Sequence, residues 1–157
     1  MPGREDYILR FIALLRQAIA QMLKHREAGR YAEALDVALH VQEKLFARKT
    51  AELSGLSLDE LLRLLRLDET REVADEKIAG YASLLRETGL VYEAMDRTDS
   101  AQGCFQLALQ VILTVAVGQK PPTADILATA RDLLARIPPQ QLHAPVIELL
   151  RQAGEAT

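Results

Sequence analysis

The sequence predicts an all-α fold of antiparallel helix hairpins, with about seven helices in a single domain. Three observations carry this expectation. Leu and Ala number 27 and 23 among 157 residues, against 24 for Val, Ile and Thr together, so unbranched helix formers outnumber β-branched residues two to one. Apolar residues recur at alternating spacings of four and three, the mark of one buried helix face. Asn is absent, which removes the Asn-Gly turn favoured in tight hairpins and every Asn-X-Ser/Thr glycan acceptor. At this length one core buries roughly two-thirds of the unfolded surface.

Each element has its own signature. Ile8, Ile12, Leu15, Ile19 and Met22 keep 4-3 spacing, and Phe11, Leu14, Ala18 and Leu23 widen the apolar arc to about half the helix circumference. Gly29 after Lys24-His25-Arg26 ends that helix, since basic residues suit the carbonyl end of the dipole and glycine accepts positive φ. A second helix follows at once with Tyr31, Ala34, Leu35, Ala38, Leu39, Leu45 and Phe46 inward, so residues 5–49 form a hairpin. Ser57 and Glu60 read as a capping box opening a short helix over residues 57–67.

Ala74, Ile78, Tyr81, Leu85, Thr88, Tyr92 and Met95 hold the 4-3 pattern through Gly89, predicting one helix over residues 70–95. Across the polar corner Asp96-Arg97-Thr98-Asp99, a helix from about Ser100 to Val117 completes a second hairpin, residues 70–117. Pro121-Pro122 blocks continuation, and Thr123 caps a helix over residues 123–137. A last helix over residues 140–153 begins with Pro145 in its first turn, and the tail from Gly154 is expected to fray.

Charge narrows the classes of function. The net charge of −3 is distributed as +3 over residues 1–49, −6 over 50–99 and 0 over 100–157, the pattern of solvated helix faces. A basic stripe of Arg10, Arg16, Lys24 and Arg26 lacks a stacking platform, so nucleic acid is not an expected partner. The opening Met1-Pro2-Gly3-Arg4-Glu5-Asp6 carries both charge signs, and Arg10 and Arg16 break the apolar run after it, unlike a secretory signal. Leu107 to Val117 is the longest apolar stretch, contains Gln110 and falls short of the roughly 20 residues that cross a bilayer, so no membrane partner is expected. With the single Cys104 there is no disulfide framework, and the cytoplasm is the expected compartment.

Catalytic chemistry has few candidates. His25, His40 and His143 show no metal-ligand spacing, and position 25 is expected to face residues near 34, so the first two histidines are not expected to converge. Cys104 reads as a small filler, with no basic residue within a turn to lower its pKa. The neighbouring carboxylates Asp59/Glu60, Asp68/Glu69 and Asp75/Glu76 point about 100° apart on a helix and do not share a proton. Gly118-Gln119-Lys120 lacks the second glycine and the Ser/Thr of a phosphate loop. The expectation is a non-enzyme with no catalytic residue, metal or cofactor.

Aligning Ala34 with Ala101, 67 residues on, superimposes the two corners. Gly89, Tyr92, Ala101, Phe105, Ala108 and Leu109 then resemble, in register, the small and aromatic positions of the tetratricopeptide repeat; Gly29, Tyr31 and Ala34 match in part. Met22 and His25 stand where that family has glycine and tyrosine, Asp96 replaces its corner glycine, and its closing proline is missing at Leu113. The resemblance implies a tetratricopeptide-like stack over about residues 5–153 that binds a protein or peptide in a concave groove. The corresponding lining positions are Arg16, Ile19, Leu23, Arg26 and Glu27, then Ser83, Arg86, Leu90, Glu93 and Ala94; Ile19, Leu23, Arg26, Arg86, Leu90 and Glu93 are the candidate site. Leu23, Arg86 and Leu90 suit an amphipathic or acidic-hydrophobic peptide. The lysine–asparagine clamp of one subset is contradicted by the lack of Asn. Alternatives are a structural homodimer through the apolar arc of the first helix, or a small-ligand-binding helical protein. The start Asp6-Tyr7-Ile8-Leu9-Arg10 resembles an uncharacterised bacterial domain family, which implies no activity.

Overall fold

The computed structural model describes residues 2–155, and every regular element in it is helical, with no strand among the described residues. The elements are α1 (Pro2–Glu27), α2 (Tyr31–Phe46), α3 (Thr50–Leu53), α4 (Leu58–Arg66), α5 (Arg71–Ala94), α6 (Thr98–Gly118), α7 (Ala124–Ala135), a 3₁₀ turn (Pro139–Gln141) and α8 (Ala144–Glu155). The all-α expectation holds, with eight helices among the described residues where about seven were expected. The chain divides into two compact units, Met1–Gly80 and Tyr81–Thr157, with residues of α5 in both.

In the first unit α1 lies against α2, and α3 and α4 lie against α2. Phe11, Leu15, Ala18 and Met22 of α1 are buried, as are Ala34, Ala38, Val41, Leu45 and Phe46 of α2 and Leu61, Leu62 and Leu65 of α4. Much of the α1 arc is therefore consumed inside the fold. Gly80 permits the close approach of α5 to α1, because a Cβ there would run into the Leu15 side chain. Lys77, 8% exposed, is held by Glu69 at 3.1 Å and by the Tyr7 hydroxyl at 3.5 Å, with its ammonium 5.2 and 5.3 Å from the Tyr7 and Phe11 ring centroids. A buried ammonium needs such partners, since it leaves water at a cost of several kcal/mol.

In the second unit α6 is central, packed by α7 and α8. Ala101, Phe105, Ala108, Leu109, Val111, Ile112, Leu113, Val115 and Ala116 are buried, covering most of its circumference, which is why it is apolar nearly all round. By length and composition α6 could cross a membrane, and 56% of that apolar window is buried within the fold. Gly89 lets α5 reach α6: an added Cβ would come within 2.6 Å of the Phe105 ring and 3.2 Å of the Cys104 Cβ.

Several boundaries follow the sequence signals. Ser57 and Glu60 form the reciprocal capping box, and Thr123 Oγ1 accepts from the Ile126 N–H. Others differ from expectation. α2 stops at Phe46 because Ala47 turns into the left-handed region at φ 53, and α3 forms where no helix was expected because the Glu43 carboxylate accepts from the Thr50 N–H at 2.7 Å. The last helix begins at Ala144, after the 3₁₀ turn, and Gly154 and Glu155 remain helical; the other two residues of the expected frayed tail lie outside the described residues.

The two hairpin corners share one geometry, 67 residues apart. Gly29 and Asp96 take φ of 75 and 60, and Arg30 and Arg97 follow at φ/ψ of −92/70 and −93/74. The Arg30 N–H donates to the His25 carbonyl at 2.8 Å and the Arg97 N–H to that of Tyr92 at 2.9 Å; the Gly29 and Asp96 N–H groups donate to Arg26 and Glu93. This pair of bonds is the Schellman closure of a helix end. Aspartate adopts the left-handed conformation more readily than most side chains, which is why the corner survives without glycine.

Candidate functional site

The candidate residues fall into one trio per unit. Ile19, Leu23 and Arg26 share a face of α1 through i+4 and i+3 spacing; Leu23 is 38% exposed, and Ile19 and Arg26 are half-buried. Arg86, Leu90 and Glu93 share a face of α5 in the same way, with Glu93 exposed and the other two half-buried. Arg86 is committed to its own unit. Its Nε donates to Asp132 Oδ2 of α7 at 2.5 Å, and Arg136 reaches the same oxygen at 3.3 Å while lying 5.8 Å from the Phe105 ring centroid. Burial alone would raise the Asp132 pKa, but the two guanidinium groups outweigh it and hold the carboxyl low. Arg86 therefore fastens α7 to α5.

The first unit also contains an open groove that was not among the expected sites. It measures about 580 Å³ and is lined by Leu14, Gln17, Ala18, Gln21 and His25 of α1 and by Glu33, Asp36, Val37, His40, Val41 and Lys44 of α2. Its α1 stripe lies on the other flank of the buried arc from Leu23, centred roughly 175° round the helix at 100° per residue. The available signal was the run Glu33, Asp36, His40, Lys44 at helical spacing, acidic at one end and basic at the other. A second hollow of about 670 Å³ involves His40, Glu43, Lys44, Ala47, Arg48, Lys49 and Glu52. Glu43 is occupied there: the Thr50 N–H and hydroxyl bind its carboxylate and lower its pKa.

His25 and His40 both line the first groove, and each ring is engaged locally. Arg30 Nε donates to His25 Nδ1 at 3.1 Å, and His40 Nδ1 lies 2.8 Å from the Asp36 carbonyl oxygen. Among the described residues no group of three or more His, Cys, Asp or Glu side chains is arranged to hold a metal. Cys104 is half-buried, and burial pushes its pKa up to about 11, which keeps the sulfur a protonated thiol near neutrality. Of the paired carboxylates, Glu60 caps α4 and Glu69 holds Lys77.

Two α6 glutamines organise the α7–α8 connection. Gln106, 4% exposed, donates to the Gln141 carbonyl at 2.7 Å and accepts from the His143 N–H at 3.2 Å; Gln102 donates to the Arg136 carbonyl at 2.9 Å. No protein-family profile matches the chain, and no curated protein or solved structure is significantly similar to it.

Proposed function

We propose that this chain is a non-enzymatic, tetratricopeptide-like interaction module of the bacterial cytoplasm that binds a protein or peptide segment along the exposed stripes of its hairpins. The observation that carries the reading is the repeated corner, the same Schellman closure and the same dihedral angles 67 residues apart, beside the residues Gly89, Tyr92, Ala101 and Phe105, whose types and register resemble that repeat. Fold alone does not fix function, so the stripes themselves must be tested. Leu23 and Glu93 are the accessible members of the two trios, whereas Arg86 serves α7 and would confound binding with stability. Affinity capture is expected to lose a specific partner at least about tenfold with Leu23→Asp or Glu93→Lys, as truncation of an interface anchor does. Unchanged recovery with both variants would remove the assignment.

A further inference from the structure

The groove formed by α1 and α2 lies on a different flank of α1 from Leu23, and its charges are arranged for one particular occupant. From the acidic to the basic end of α2, its rim reads Glu33, Asp36, His40, Lys44, all exposed or half-buried, over a floor of Leu14, Ala18, Val37 and Val41. Among the described residues Glu33 and Lys44 make no ion pair within the chain. A two-fold axis crossing α2 level with Ala38 places Glu33 of one protomer beside Lys44 of its partner, and the same axis brings Asp36 to His40. Eleven residues separate the outer pair and four the inner pair, about 16 and 6 Å along α2, yet one axis serves both.

We infer that the α1/α2 groove is the self-association face of this chain, occupied by the α1/α2 hairpin of a second copy with the two α2 helices antiparallel. Isologous contacts require a surface complementary to itself under two-fold rotation, and this rim has that property. Two hairpins meeting in this way form a four-helix arrangement with apolar residues at its centre and opposite charges at its edges. A peptide of another sequence would need complementary charges of its own, whereas a second copy supplies them through symmetry.

Sedimentation velocity at micromolar concentration tests the inference. The wild-type chain is expected to dimerise. Glu33→Lys and Lys44→Glu, each alone, set like charges opposite one another twice and are expected to weaken self-association about tenfold or more. An equimolar mixture of the two variants is expected to regain wild-type association, because one chain then carries lysine at both outer rim positions and the other carries glutamate at both. This recovery also shows that both variants fold. A wild-type monomer throughout, single variants that associate like wild type, or a mixture no tighter than its components would each overturn the inference. None of these outcomes alters capture through Leu23 or Glu93, so the two readings fail separately.

Discussion

Asp132 is a short acidic side chain gripped by two arginines, Arg86 from α5 and Arg136 at the C-cap of α7, and its depressed pKa makes the grip pH-dependent. A carboxyl whose folded pKa is lowered contributes stability above its ordinary value of 3.8 and loses it as the pH falls through the folded value. Asp132→Asn is expected to cost about 1 kcal/mol at neutral pH, the upper end for partly exposed pairs, and to flatten the acid limb of stability measured by urea denaturation. An acid limb identical to wild type would remove this role. Such pairs were not legible in the sequence, because the ion pair joins residues 46 positions apart. The same holds for Lys77, whose partners Glu69 and Tyr7 are brought together by the fold, and for Gln106, which in the sequence only precedes the apolar run Leu107 to Val117.

Elements were legible where the signal is local. Gly29, Ser57 and Thr123 act through atoms within about four residues, so corner, capping box and cap could be read directly. α3 could not be, since it depends on Glu43 reaching back from α2, seven residues away. The two glycines near the α5–α6 crossing provide a paired test of the packing. Gly89→Ala would drive a Cβ into the Phe105 ring and is expected to cost about 1–3 kcal/mol. Gly103→Ala in α6 meets open space and is expected to gain about 0.5–1 kcal/mol by removing backbone freedom from the unfolded chain. Thermal denaturation of both variants checks the pair; equal effects would place the helix contact elsewhere.

The whole molecule shows what a repeat can and cannot convey. The 67-residue offset was visible in the spacing of small and aromatic residues, and helices α1 and α5 end, and α2 and α6 begin, at that same offset. The candidate stripes came from this alignment, one on a face of α1 and the other on a face of α5. The α1/α2 groove had no such route: the hairpin itself was expected, but which side chains of its two helices leave a hollow between them is set by their packing and not by a linear pattern. Whether the stripes meet a protein partner is decided by site-specific photo-crosslinking in cells. A photoreactive residue at Leu23 is expected to give one dominant adduct with a partner protein that is missing when the same residue is placed at Leu67, which is 65% exposed. No adduct at Leu23, or the same adducts from both positions, would contradict an interaction through the stripes.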